Sequence, residues 1–413
     1  MSVAAATTTV RVDVAVVGGG IVGSAVAEAL LRRFGSKRVA LLEKESAWGR
    51  HQSSHNSGVI HAGVYYAPNS LRARLCVDGA ARLYEFATAH RIAHRRCGKV
   101  IVAVRESELP RLAELQRRAE ANGVAIEPLS GACVQRLEPG VTRAVAGLYS
   151  PNSGVIDYAH VVHALAGAVQ QHHGARGSVL LNFDLQAAVR DVRGDCWRLS
   201  SARSAHVVEA QYVVTCAGLF SDRVAQLFGA SAEPMIVPVR GEWRLMRAPH
   251  SDVVRGLIYP VPDPKFPFLG VHFTRRIDGS VLIGPNALLA TAREGYSPAT
   301  VNLRDVADMA QHAGLRSLAA REFRFGVGEF VRSVSRRAHL SELTPYIPSL
   351  QLDHMTGDKL TGVRAQAMSR TGELINDFVL EHGPNCLHVR NAPSPAATAS
   401  LAIAEHIVND MRL

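Results

Sequence analysis

At 413 residues the chain can form one large or two intergrown domains, and 47% apolar with 20% charged residues excludes a disordered or low-complexity protein. The net charge of +10 asks for an anionic partner, yet aromatic residues reach only 6% and the arginines are scattered. That pattern speaks against nucleic acid and for an anionic small molecule or a membrane surface. The six cysteines stand far apart, with no Cys-x-x-Cys pair and no Cys/His spacing for zinc. A metal or disulfide scaffold is therefore not expected, and a reducing compartment is.

The residues ahead of Val12 hold one arginine, three threonines and no acid, a composition like the end of a mitochondrial transit peptide. Residues 14–31 approach the length of a membrane span, but four glycines and Glu28 interrupt them, so a strand, a turn and a helix account for them better. The strand is Val12-Asp13-Val14-Ala15-Val16-Val17, the turn Gly18-Gly19-Gly20-Ile21-Val22-Gly23, and the helix covers 24–33. Gly18 makes the tight turn, Gly20 lets backbone approach a pyrophosphate, and Gly23 lets helix and strand pack closely. The helix N-terminus faces the phosphates, and Ile21 and Val22 of the turn are expected to contact the cofactor. A second strand over 38–42 ends at Glu43, twenty residues past Gly23, where a carboxylate reaches ribose hydroxyls. Glu43 also argues against a 2′-phosphorylated cofactor.

After Lys44 the chain enters a polar Gly/His-rich loop, residues 48–63, instead of another helix–strand repeat. Gln52, Ser53, His55, Asn56, Ser57 and Gly58 offer donors along an extended flavin, so FAD is favoured over NAD. His51 and His55 are expected to touch it. Residues 109–122 read as an amphipathic helix outside the βαβ pattern. Residues 211–218 form a strand ending in the small turn Cys216-Ala217-Gly218, and Ser221-Asp222-Arg223 opens a helix. Strands are expected over 257–259, 269–273 and 280–284, with Asp278-Gly279 as a hairpin turn. Arg316, Arg321, Arg324, Arg332, Arg336 and Arg337 concentrate charge late in the chain. They are either a solvated helix face or a basic face toward lipid or an acidic carrier. Finally Asn391-Ala392-Pro393-Ser394-Pro395-Ala396-Ala397-Thr398 precedes an apolar helix over 399–408. Ser394 is expected as its N-cap and Pro395 as its first helical residue.

The N-terminal fingerprint, the Cys-Ala-Gly turn and Gly362-Val363-Arg364 resemble the D-amino-acid oxidase-like FAD oxidoreductases. Within that group, residues 55–66, Pro238-Val239-Arg240-Gly241-Glu242, residues 262–272 (PDPKFPFLGVH), 362–367 and 391–398 resemble L-2-hydroxyglutarate dehydrogenases or oxidases. The resemblance covers essentially the whole chain and departs in loop stretches at 53–54 and 368–371. It implies an α/β fold: a Rossmann-type FAD-binding domain (1–90, 150–235, 345–413) intergrown with an α+β substrate domain (91–149, 236–344) built on a mostly antiparallel sheet. FAD contacts would then come from the fingerprint, Glu43 and Lys44, the 52–58 loop, Val189, the 216–218 turn, Arg364 and Pro395-Ala396-Ala397-Thr398.

The resemblance further implies oxidation of L-2-hydroxyglutarate to 2-oxoglutarate, with hydride leaving C2 for flavin N5. Electrons would pass to a quinone, a carrier flavoprotein or oxygen. A dianionic substrate calls for a bidentate donor, which arginine offers. Arg364 is the first choice and Arg240 the second, each with an ordinary ion pair as its alternative. His61 and His272 are the base candidates, and Tyr259 either orients the hydroxyl or packs. Other FAD oxidases of small acids or amino acids, or a non-catalytic flavin protein, are the rival readings. The implied site is the mitochondrion in a eukaryote, otherwise the cytoplasm or the inner-membrane surface.

Overall fold

The computed structural model describes residues 8–172, 176–193, 195–263 and 270–411. Strand Thr8–Val17 starts half-exposed and is buried throughout from Val14 to Val17, as a strand covered on both faces must be. It pairs in parallel with Val39–Leu42 on one side and His206–Thr215 on the other. Gly177–Leu180 extends the parallel set beyond Val39–Leu42. His206–Thr215 is forked. Its first half takes Trp197–Ser201 antiparallel, and its end takes Cys386–Asn391 in parallel. The apolar run 14–31 thus resolves into a strand end, a glycine turn and the helix Ile21–Arg33, the outcome expected from its glycines. Among the described residues, no helix is long and apolar enough to cross a membrane. Thr8 to Arg11 belong to the first strand, so a transit-like leader can involve only the residues before them, which lie outside the description.

Helix Ile21–Arg33 runs back over this sheet and packs on Tyr158–Gln171 and on the C-terminal helix Ala396–Asp410. The latter packs in turn on Leu71–Ala89. Their apolar faces, with Val14, Val16, Leu30, Leu83, Val161, Leu165, Ile403 and Ile407, make the largest core cluster. Ser70 starts Leu71–Ala89 by accepting the Ala73 N–H at 3.1 Å.

A second sheet of nine strands lies beside the first. Its spine is the long pair Met235–Met246 and Met355–Met368, antiparallel along nearly their whole length. Val281–Gly284, His272–Arg275 and Leu257–Pro260 follow as an antiparallel run, and Lys99–Ala103 joins Leu257–Pro260 in parallel. Ala146–Ser150 and Glu127–Ser130 close that side. The turn at Asp278-Gly279 is present, with Gly279 at φ +83°. The expected strand 269–273 begins only at His272; residues 264–269 of the PDPKFPFLGVH stretch lie outside the description. The helix expected over 109–122 is Leu109–Ala121.

One assignment changes. Met355–Met368 falls in the segment expected in the FAD-binding domain, but it is a strand of the second sheet. Its partner is more than a hundred residues away, and neither composition nor periodicity carries information about so distant a pairing. This strand brings Arg364 to the boundary between the two sheets.

Candidate active site

One cavity of about 1490 Å³ runs from the glycine turn to the face of the second sheet. That exceeds the roughly 300–1,000 Å³ typical of a drug-sized ligand's pocket and leaves room for a dinucleotide and a substrate together. At the first end, Gly18 sits at φ +112°, and a Cβ there would lie 2.4 Å from the Cys216 carbonyl oxygen. A Cβ on Gly23 would strike the Gly18 carbonyl at 1.9 Å. Only glycine lets turn, helix and Cys216 strand meet so closely.

Glu43 accepts the Gly19 N–H at 2.7 Å and the Glu45 N–H at 2.9 Å. Its burial pushes the carboxyl up, against the pull of these N–H donors. Ser53 Oγ accepts the Ile21 N–H at 2.9 Å, tying the flavin-type loop to the helix start. The fingerprint residues Gly18, Gly20, Ile21 and Val22 line this end, with Glu43 and Lys44, the loop residues Gln52, Ser53, His55, Asn56 and Ser57, and the turn Cys216-Ala217-Gly218. A backbone cradle left open by glycines, a buried acid and a helix start with no acid in its first turn fit the diphosphate and ribose of FAD.

The C-terminal helix supplies the middle of the wall through Pro395, Ala396, Ala397 and Thr398. Its cap differs from expectation. Pro395 occupies the N-cap position, the helix begins at Ala396, and no side chain caps it. Ser394 cannot take that role because it precedes the cap in the turn, where its carbonyl accepts from Arg72 Nε at 2.6 Å. Thr398 Oγ1 lies 2.8 Å from Tyr158 Oη and accepts the His61 N–H at 3.1 Å. Cys76 Sγ donates to the His61 carbonyl at 3.4 Å. His61 is thereby pinned through its backbone, while among the described residues its buried Nδ1 has no hydrogen-bond partner.

The far end gathers His61, Tyr65, Tyr66, Arg72, Tyr259, His272 and Arg364. His272 Nδ1 lies 3.0 Å from the Gly270 carbonyl. A carbonyl only accepts, so Nδ1 carries the hydrogen and Nε2 is left with its lone pair. The ring stacks on Tyr259 at 4.1 Å. Burial, joined by the Arg364 and Lys99 charges, pushes the His272 imidazole down to about 3. The same burial holds His61 well below its usual range, with Lys99, His272, Arg72 and Arg364 adding to it. Both rings are therefore neutral acceptors in the protein without ligand. Burial also lowers the Arg364 guanidinium, partly offset by Tyr259.

Four expected residues lie away from the cavity wall. Arg240 is opposite Val363 in the strand register, and Arg364 opposite Val239, and Arg240 is taken up by partners inside the sheet. Buried, it pairs with Glu242 at 3.1 Å and reaches the Gly295 carbonyl at 3.5 Å, in a network continued by Lys359 and Ser333 on Glu242. It is an ion pair of the sheet, the alternative the sequence left open for it. Val189 sits 59% exposed on the outer hairpin strand Leu185–Arg190, although Leu185 and Gln186 of that strand do line the cavity. Gly58 shapes the loop at φ +75°, its N–H held by Asn56 Oδ1 at 2.8 Å. Gly23 acts beneath the turn through its close packing alone. Lys44 lines the cavity, but its ammonium is engaged by Glu45 and Glu294.

Sequence reasoning missed Arg72, Tyr65 and Lys99. Arg72 is held by the carbonyls of Ser394 and Asn376 (2.9 Å), its guanidinium 4.5 Å from the Tyr66 ring. Its local signal, a residue in the first turn after a Ser70 cap, looks like any surface helix start. Only the crossing of Leu71–Ala89 over the C-terminal helix turns it inward.

The model of the family described as FAD dependent oxidoreductase matches residues 13–409. The chain is 44% identical over 410 residues to the mitochondrial L-2-hydroxyglutarate dehydrogenase of Nematostella vectensis, covering 96% of this chain and 90% of that one. It is 43% identical to the mitochondrial human protein of the same name, covering 97% and 88%, and 40% identical to the L-2-hydroxyglutarate dehydrogenase of Salmonella houtenae, covering 97% and 93%. Among solved structures, the FAD-bound L-alpha-glycerophosphate oxidase of Mycoplasma pneumoniae superposes with a TM-score of 0.77 at 23% identity, covering 97% and 94%. That is a likeness of fold.

Proposed function

The chain belongs to the FAD dependent oxidoreductase family, alongside the L-2-hydroxyglutarate dehydrogenases, and from that premise we propose that it oxidises L-2-hydroxyglutarate to 2-oxoglutarate. The observation that carries this reading is the single cavity joining the dinucleotide cradle to a pocket holding Arg364, Arg72, His61, His272 and Tyr259. Relatives at about this identity over nearly the full chain supply the substrate's name.

The glycine turn, Glu43, Ser53 and the start of the C-terminal helix would hold FAD, which would supply a two-electron acceptor for the C2 hydrogen, reoxidised by a quinone, a carrier flavoprotein or oxygen. Arg364 grips a substrate carboxylate in a fixed bidentate geometry, with Arg72 as a second cation. His272 Nε2, unprotonated because Nδ1 serves Gly270, takes the hydroxyl proton, and a dianionic substrate raises its affinity for that proton. His61 is the alternative acceptor. Tyr259 holds the His272 ring by stacking.

Anaerobic mixing of the flavin-loaded protein with L-2-hydroxyglutarate should bleach the flavin absorbance, and the D-isomer should not. Bleaching by an amino acid or glycerol 3-phosphate, with none by L-2-hydroxyglutarate, would overturn the assignment. Oxygen, quinone and a dye offered to the reduced protein then identify the acceptor class.

A peripheral membrane contact is part of the same proposal. Helix Phe323–Val334 exposes Phe323, Val327, Phe330, Val331 and Val334, spaced to share one side of the helix. Arg321, Arg324, Arg336 and Arg337 are exposed nearby. Arg332 is tied instead to Glu329 and Glu342, and Arg316 to two backbone carbonyls. An apolar strip rimmed by arginines suits an anionic lipid surface. Binding to anionic vesicles that weakens with salt supports it; no binding at low salt removes it. In a eukaryotic cell the expected compartment is the mitochondrion, as the eukaryotic relatives are labelled; in a bacterium it is the cytoplasm or the inner-membrane surface.

A further inference from the structure

Behind the far end of the cavity lies a lysine that the reaction as described does not use. Lys99 starts the strand Lys99–Ala103 and is 1% exposed. Its ammonium sits 4.4 Å from the centre of the Tyr65 ring and 5.1 Å from that of Tyr259, and both tyrosines line the cavity. Among the described residues, Nζ has no hydrogen-bond partner, and no carboxylate pairs with it. Tyr65 Oη and His61 Nδ1 are likewise buried and unpartnered. A buried lysine normally brings a carboxylate with it. Here aromatic faces stand in its place, and an anion that enters the cavity would supply the missing negative charge.

Resting on the substrate reading above, we propose that Lys99 is a positioning residue for dicarboxylate specificity: a cation in the wall behind Tyr65 and Tyr259 whose charge the second carboxylate of the substrate completes, with uptake of one proton. It does not touch the reacting carbon. The two tyrosine rings that separate it from the cavity transmit its field and are held in place by it, so its effect falls on substrate binding.

Burial, with no acid to oppose it, brings the Lys99 amine down to about 7. An arriving dianion raises it. Below that value the amine is already protonated and binding takes up no proton; above it, binding must draw one from solvent, so dianion affinity weakens as pH rises. Glu138, near Cys97, is also brought to about 7 by its burial. It lies off the cavity wall and accepts the Arg255 N–H, so its proton is common to wild type and the Lys99 variants and cancels between them. The remaining groups do not titrate in this window. Burial keeps His61 and His272 neutral, far below it. Burial pushes Tyr65, Tyr66, Tyr259 and Cys97 upward, and Cys76 to about 12. Arg364 and Arg72 face the same space as cations.

The test is calorimetric titration of the flavin-loaded protein with glutarate, an unreactive dianion, in buffers of different ionisation heat, beside KM and kcat for the substrate from about pH 6 to about pH 9. Wild type should take up close to one proton at the alkaline end, with KM rising roughly tenfold or more across the range and kcat changing little. In Lys99→Met the uptake should vanish, and KM should be high and flat with pH while the flavin stays bound. In Lys99→Arg, which cannot deprotonate, uptake should also vanish, but dianion affinity should persist at alkaline pH. Butyrate, a monoanion, should not distinguish wild type from either variant. Should Lys99→Met fail to fold, the Arg variant and butyrate carry the test. Uptake and a KM slope unchanged in both variants would overturn the role of Lys99. No glutarate binding to yellow wild-type protein would instead overturn the substrate reading, and this proposal with it.

Discussion

The two ends of the cavity are built from different materials. The cradle end is mostly backbone. The glycine turn and the starts of two helices line it with backbone, and one buried acid, Glu43, accepts the N–H groups of Gly19 and Glu45. The substrate end is mostly side chain. His61, Arg72, Lys99, Tyr259, His272 and Arg364 come from separate segments of the chain, on both sides of the boundary between the sheets. Backbone recognition is local and tolerates change only where a Cβ fits. Side-chain recognition is assembled at long range, so single substitutions there can remove chemistry and leave the fold.

Arg364→Ala is expected to break this contrast most visibly. Turnover should fall by about 10³-fold, in the range seen when one preorganised charge-stabilising donor is removed, with the protein still yellow. Normal kcat/KM in that variant would remove Arg364 from the site. His272→Ala should lower kcat by about 10²-fold as a lost proton acceptor; if His61→Ala does so instead, the two rings exchange roles. At the other end, Gly18→Ala places a Cβ 2.4 Å from the Cys216 carbonyl at a positive φ. It should purify largely colourless, measured as flavin per protein, whatever its residual activity when flavin is added in excess. The smallest catalytic effect belongs to Arg240→Met, which removes one partner of the buried Glu242 pair. It should cost about 3 kcal/mol of stability in denaturant melts and leave KM nearly unchanged. A large rise in KM would return Arg240 to the substrate.

The comparison also explains where sequence reading succeeded. Gly18, Gly23 and Glu43 were legible because strand, turn, helix and acid follow one another within about thirty residues, and the constraint on each is steric and local. His61, Tyr259, His272 and Arg364 were reached through motif resemblance, and all four line the cavity. Arg240, reached the same way, is paired with Glu242 inside the sheet, the ion-pair alternative that the motif could not separate from a substrate role. Ser394 failed as a cap because Pro395 takes the cap position and the helix starts only at Ala396. Lys99 gave no signal at all. A lone lysine opening an apolar strand looks like a solvated edge until the sheet closes around it.

From the residues alone came the dinucleotide unit and the flavin, since each follows from local sterics and the order of short motifs; the intergrown α/β architecture and the cation facing a dicarboxylate came from the family resemblance. The tertiary structure alone decided which arginine faces the cavity, that Met355–Met368 joins the second sheet, and that a buried lysine stands behind the tyrosines. Those outcomes depend on pairings and packing between distant segments, and a chain's pattern states which faces want burial without stating against what.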